Sequence, residues 1–266
     1  MNPYKIDGPA LISFSGGRTS GYMLAKIVEA HGGILPVDVI PVFANTGKEH
    51  PATLDFVRDC SDRIAPVTWL EYSADGFKVV SFETAARNGE PFEALIQKKK
   101  YLPNPVTRFC TIELKIRVMR DFARSLGWEH WTNVIGLRAD EPRRVAKARN
   151  NRERWENDMP LHSAGVVKAD VLAWWKAQGW GLNLPISPTG DTDLGNCDLC
   201  MLKGLGKKIS IIRDDPNRAV WWMQQEEKRG ATFRIDQPSY KAMISIATQP
   251  ELDFEDEELA DCACTD

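Results

Sequence analysis

The 266-residue chain carries a net charge of −3, with 43% hydrophobic and 27% charged residues. Those values suit a soluble globular protein with one large core, or one domain with a small appendage. They exclude a surface that is basic throughout, so any contact with nucleic acid or membrane would need a local patch. The first eight residues, Met1 to Gly8, lack the apolar stretch of a signal peptide, and no run of 18 apolar residues follows. A cytoplasmic protein with no membrane partner is expected.

Residues 9–15 read as a short buried strand running into the Gly16-Gly17 turn. After Ser20, apolar Met23, Leu24, Ile27 and Val28 mark one face of a helix that Gly32 and Gly33 end. Val37–Ala44 is a second buried strand, His50–Ile64 a helix with Leu54, Val57 and Ile64 inward, and Val67–Tyr72 a third strand. A further helix around Ile112–Leu126 leads into a strand over Trp131–Arg138. Strands alternating with helices across short connections predict a parallel sheet covered on both faces. Ligands bind such sheets at the carboxyl ends of the strands, so loops 13–20, 44–49 and 136–144 should line one crevice. Beyond about residue 150 the pattern becomes helical, with helices over Val167–Gln178 and Arg213–Arg229 flanking a Gly-rich cysteine loop. The predicted division is a nucleotide-binding domain over 1–165 and a helical, cysteine-containing extension over 166–266 packed on it. Residues 250–266 hold eight Asp or Glu residues, the composition of a solvated acidic tail, but also Cys262 and Cys264.

The segment Ser13-Phe-Ser-Gly-Gly-Arg-Thr-Ser20 has a direct physical use between a strand and a helix. Gly16 and Gly17 allow a tight turn that brings backbone N–H groups to an anion. Ser15, Thr19 and Ser20 add hydroxyls, and the helix N-terminus adds its positive dipole end. Arg18 either adds charge or points to solvent. The loop resembles the PP-loop, Ser-Gly-Gly-x-x-Ser, of the adenine-nucleotide α-hydrolase superfamily. Ala44-Asn-Thr-Gly-Lys48, Arg108-Phe-Cys-Thr-Ile-Glu-Leu-Lys115, Gly136-Leu-Arg-Ala-Asp-Glu-Pro-Arg-Arg144, Pro160-Leu161 and Lys168–Leu172 extend the likeness. Together they make the chain similar to the phosphoadenosine-phosphosulfate (PAPS) reductase-like branch over roughly residues 10–205.

The resemblance implies a Rossmann-like doubly wound sheet that binds ATP or a related adenine nucleotide with Mg²⁺. Ser13, Ser15, Gly16, Gly17, Thr19, Ser20, Asn45, Thr46, Gly47 and Gly136 are the expected nucleotide-binding residues. Arg18, Lys115, Arg138 and Arg143 form the expected catalytic set, with Arg144 an alternative to Arg143. An intact loop of this kind goes with cleavage of ATP to AMP and pyrophosphate, which activates an acceptor for delivery of sulfur or another nucleophile. Sulfonucleotide reductases of the same branch carry a degenerate loop and a Glu-Cys-Gly-x-His type ending. This chain instead ends Asp261-Cys-Ala-Cys-Thr-Asp266.

Cys197-Asp-Leu-Cys200 suits zinc, a redox pair or half of an iron–sulfur site. By the family's spacing its partner is Cys110, with Phe109 standing where a second adjacent cysteine is usual. The implied centre is a [4Fe–4S] cluster on Cys110, Cys197 and Cys200, with Cys262 or Cys264 as fourth ligand or one iron left open; zinc is the alternative. Cys60 reads as core, as do most rings of Trp174-Trp175 and Trp221-Trp222, and no histidine is assigned a catalytic role. The dense basic stretch from Arg138 to Arg154 is either a solvated helix face or a set of anion contacts, which would leave a nucleic-acid or small-molecule acceptor and an oligomer both open. Two alternatives stand beside the activating enzyme. One is a sulfonucleotide reductase using Cys262 or Cys264. The other is a non-catalytic nucleotide- or nucleic-acid-binding component with a structural metal.

Overall fold

The computed structural model describes residues 2–150, 153–185, 192–195 and 197–249. Its centre is a six-stranded sheet in the order β4-β3-β2-β1-β5-β6. In chain order the strands are β1 (Ala10–Ser13), β2 (Val39–Asn45), β3 (Thr68–Ser73), β4 (Gly76–Val80), β5 (Thr132–Ile135) and β6 (Glu156–Asp158). All neighbours run parallel except β3 and β4, a hairpin that turns at Ala74-Asp75. Alternation along the strands sends side chains to two separate cores, which is why these segments read as nearly continuous apolar runs. Ala10, Ile12, Val39, Phe43 and Trp69 enter one core; Leu11, Val42, Leu70 and Tyr72 enter the other. The fold is therefore α/β and doubly wound.

Helices α1 (Arg18–Ala30) and α2 (Pro51–Arg63) cover the first face. Pro51 occupies the first turn of α2, where a missing N–H costs nothing, and the His50 ring accepts the Ala52 N–H at 3.1 Å. The second face is covered by α3 (Glu90–Lys99) and by a helical run through α4 (Phe109–Thr111), a π-helical turn over Ile112–Ile116 and α5 (Arg117–Ser125). After β5 come α6 (Pro142–Arg149) and α7 (Pro160–Ser163). The later helices divide between the faces. Val171 and Trp175 of α8 (Lys168–Ala177) join the first core, whereas α9 (Leu205–Asp214), α10 (Asn217–Arg229) and α11 (Tyr240–Ala247) join the second. One predicted helix over 213–229 is in fact the end of α9 and all of α10, interrupted at Asp215-Pro216 because proline disfavours helical backbone in the residue before it. Among the described residues no helix is long and apolar enough to cross a membrane.

Aromatic packing fastens both faces. Phe56 of α2, 1% exposed, lies 5.0 Å from Trp175 and 6.2 Å from Phe14 and Trp180, centroid to centroid. On the other side Trp222 stacks on Tyr240 at 5.5 Å, and the buried Glu226 carboxylate accepts the Phe233 and Tyr240 N–H groups at 3.1 and 2.8 Å. Cys60 is fully buried in the first core and burial pushes its thiol pKa up, as expected of a packing residue. Phe56→Ala should cost about 3–5 kcal/mol, measured as a lower midpoint of urea unfolding with an unchanged slope.

Candidate active site

The chain leaves β1 toward β2 on one side, while β5 lies on the other, so the sheet's switch point falls between β1 and β5. There the β1–α1 connection must reverse direction within a few residues. Gly16 does so at φ +77°, and a Cβ at that position would stand 2.7 Å from Thr53 Cγ2. Gly17 caps α1 in extended conformation. Ser20 Oγ accepts the Ser15 N–H at 3.2 Å and donates to the Gly17 carbonyl at 3.0 Å; it also lies 3.0 Å from Ser15 Oγ. The loop is thus held open and rigid around the first turn of a 13-residue helix, a setting that favours an anion.

Two cavities meet at this loop, sharing Ser15. The larger, about 410 Å³, runs from Ser15, Ser20 and Gly136 down the second face of β1 and β5. Ser13, Leu11, Phe43, Met119, Trp131 and Asn133 contribute to its walls, and Lys115, Arg120, Arg144 and Lys147 to its basic edge. The smaller, about 40 Å³, lies beside Gly16, Gly17, Thr19, Arg138 and Lys168. Arg138 ties the strand-end loop to the turn: its Nη1 donates to Thr19 Oγ1 at 3.0 Å, while Asp140 holds its Nε at 2.9 Å. Asp140 also accepts the Lys168 N–H at 3.1 Å, and the first of its influences, burial, is outweighed by these bonds, so its carboxyl lies below the usual range.

The other expected residues are placed as follows. Arg18 donates to the Leu182 and Leu184 carbonyls at 2.6 and 3.4 Å, drawing the 182–184 segment against α1. Arg143 is exposed and lines neither cavity, whereas Arg144 lines the larger one and pairs with Glu141. Asn45, Thr46 and Gly47 line neither cavity. Asn45 is fully buried, donating to Glu71 at 2.7 Å and to the Ala86 carbonyl at 2.9 Å and accepting from Gly47 N at 3.1 Å. Gly47, at φ +79°, accepts the Gly89 N–H at 2.8 Å. Thr46 Oγ1 donates to Glu49 and stands 3.5 Å from Cys197 Sγ.

That buried loop is what carries the cysteine segment. Glu49 and Cys197 form an antiparallel bridge, and Asp198 N donates to the Lys48 carbonyl at 2.8 Å. The Asp198 carboxylate pairs with Lys48 at 3.1 Å and accepts the Trp222 indole N–H at 2.8 Å, both acid and base being almost fully buried. Burial pushes the Cys197 thiol pKa up; Glu49 and Cys110 add to this, while Lys115 and the Thr46 hydrogen bond oppose it. Cys110, Cys197 and Cys200 form no disulfide among the described residues and pack around one core, so their chemistry suits a thiophilic metal. Among the described residues, however, no three His, Cys, Asp or Glu side chains stand in a metal-holding arrangement. Cys262 and Cys264 lie outside the described residues. Lys115 sits in the π-helical turn, where Arg117 N donates to the Ile112 carbonyl, and borders both the cavity and the thiols.

Several lining residues had no signal in the sequence. Asn157 and Trp155 belong to a three-residue strand and its approach, with no periodicity to mark them. Lys168 had a cue, standing at the start of the helix expected over Val167–Gln178 and opening the segment Lys168–Leu172 that carries the family likeness.

A doubly wound α/β protein with an anion-accepting turn and a deep cavity at the switch point is the class these features define. No protein-family model matches the chain. It is 32% identical over 217 residues to an uncharacterized nin region protein, ORF290, of Escherichia phage lambda, covering 77% of this chain and 70% of that protein. The chain belongs to the family of that phage protein. It is also 28% identical over 197 residues to an uncharacterized 37.8 kDa protein in the gpa 5′ region of Escherichia phage 186, spanning 62% of this chain and 56% of that one. Among solved structures it is similar to a phosphoadenylyl-sulfate reductase from Candida auris in phosphate complex (14% identity, TM-score 0.45, covering 69% of this chain and 82% of that one). A second is the U34-tRNA thiolase NcsA from Methanococcus maripaludis with its [4Fe–4S] cluster (13% identity, TM-score 0.44, 92% and 74%). At those scores the site must be argued from this chain's own residues.

Two variants probe the geometry. Gly16→Ala, forced into left-handed backbone against Thr53, should lose about 1–3 kcal/mol of stability, read as a shift in the urea midpoint. Asp198→Ala leaves Lys48 buried without its partner and should cost about 3–5 kcal/mol, while raising the rate at which Cys197 is alkylated by iodoacetamide.

Proposed function

We propose that the chain is a PP-loop enzyme that binds ATP across the β1–β5 crevice and cleaves it between the α and β phosphates. The adenosine occupies the 410 Å³ cavity and the phosphates lie over Ser15–Ser20. The observation that carries this reading is the continuity between a rigid, hydroxyl-lined helix N-terminus and an apolar cavity edged by Lys115, Arg120 and Arg144. An acceptor oxygen attacks the α phosphorus, the bridging P–O bond breaks and pyrophosphate leaves with its charge. The loop N–H groups and Arg138 face that charge as it develops, a preorganised arrangement that lowers the barrier. Mg²⁺ accompanying the nucleotide supplies further neutralisation of the phosphate oxygens.

Cys110, Cys197 and Cys200, with Cys262 or Cys264, are the residues that would hold a [4Fe–4S] cluster or zinc. The Lys115 charge that edges the cavity also acts on the Cys197 thiol, which supports sulfur delivery to the adenylated acceptor as the second half of the reaction.

With α-labelled ATP and Mg²⁺, AMP is the expected labelled product in the presence of an acceptor. Sulfite release from PAPS would instead make the protein a sulfonucleotide reductase, and neither product would leave a binding component. Paired replacement of Ser15 by Ala and Gly17 by Val should remove measurable ATP binding in calorimetry; retention of binding would sink the assignment. Iron, sulfide and zinc analysis after anaerobic purification should find metal in wild type and none in Cys197→Ala/Cys200→Ala.

A further inference from the structure

The inner end of the large cavity contains a side-chain relay that the phosphate chemistry does not use. Asn133 of β5 and Asn157 of β6 are direct neighbours in the parallel register. Asn133 Nδ2 donates to Asn157 Oδ1 at 3.0 Å, and Asn157 Nδ2 donates to the Ala148 carbonyl of α6 at 3.0 Å. Both side chains line the cavity, among Leu11, Trp131 and Trp155.

The direction of this relay follows from the backbone. A carbonyl can only accept, so Ala148 fixes Asn157 with its NH₂ toward α6 and its oxygen toward β5. That oxygen can only accept as well, so it takes one N–H of Asn133. What remains of the Asn133 amide is one acceptor, its carbonyl oxygen, and one donor, its second N–H. That complement matches adenine, which offers the N6 amino donor beside a ring-nitrogen acceptor. It opposes a 6-oxopurine, whose O6 would meet the Asn133 oxygen acceptor to acceptor.

We infer that Asn133, oriented by Asn157 and Ala148, reads the 6-position of the purine and selects adenine over 6-oxopurine nucleotides. Asn133 is the contacting residue and Asn157 a positioning residue. The inference rests on the cavity holding the base of the nucleotide, as proposed above.

Calorimetry with ATP and with inosine triphosphate (ITP), which differ only around the 6-position, tests it. Wild type should bind ATP at least about tenfold more tightly than ITP, the ratio set by one satisfied and one clashing hydrogen-bonding group. Asn133→Leu should bring the two affinities within about threefold, chiefly by weakening ATP. Asn157→Leu leaves Asn133 in place but frees it to rotate, and should narrow the ratio while leaving pyrophosphate affinity unchanged. A structural role alone would weaken ATP and ITP together and keep their ratio, which would overturn the inference. Wild type binding ATP and ITP equally would also overturn it and leave the nucleotide reading intact. Binding of neither would overturn both. The wild-type comparison stands even if a variant fails to fold.

Discussion

Much of this protein's site is set by one backbone constraint, the reversal between β1 and α1 at Gly16. Thr53 of α2, Val57 of the same helix and Phe43 of β2 stand so close to this residue that a Cβ has no room, and its φ of +77° suits only glycine. Because the turn is packed from behind, its front can stay open. Ser20 then links the loop to itself through Ser15 and Gly17 without using the N–H groups of the first helical turn. Arg138 approaches from the far side of the switch point through Thr19, so a charge from the loop after β5 and the dipole of α1 meet at this turn.

The same sheet presents a second functional edge one strand away. The loop after β2 is occupied internally, with Asn45, Thr46 and Gly47 saturated by Glu71, Glu49 and Gly89. Its buried neighbours Lys48 and Glu49 hold the segment containing Cys197 and Asp198. A buried acid–base pair is a poor source of net stability, but it gives orientation, since either charge alone would be costly to bury. Here it fixes the thiol segment beside the helix that carries Cys110 and Lys115. The π-helical turn inserts an extra residue into that helix where it passes the cavity, so Lys115 borders both regions.

How much of this could be read from the chain depended on whether a feature was local. The β1–α1–β2–α2–β3 succession follows from hydrophobic period and from Gly and Pro punctuation, and those elements lie within a few residues of expectation. The β4 hairpin lies beyond the third strand expected over Val67–Tyr72, and Gly76–Val80 becomes a strand by pairing back on β3 across the Ala74-Asp75 turn. Strand β6 has no sequence signature; Glu156–Asp158 becomes a strand only by pairing with β5. α3, α6 and α11 went unassigned because their short faces gain stability from tertiary packing more than from propensity. In the site, the loop at 13–20 was legible because its chemistry is contiguous. The use of Asn45–Gly47 as a brace was not, since it depends on partners 26 to 151 residues away.

The asparagine relay gives the nucleotide cavity a logic that its charges alone do not. A carboxylate in place of Asn133 would also accept from an amino group, but it would cost more to desolvate and would add a negative charge to a cavity already lined by Glu153. An amide offers the same acceptor at lower desolvation cost, provided something decides which way it faces. That decision is made by a backbone carbonyl of α6, a group that cannot reverse its polarity. The same helix places Arg144 and Lys147 on the cavity's basic edge. On the proposed reading, base recognition and phosphate attraction would both depend on α6, and a displacement of this helix that loosened one would misplace the other.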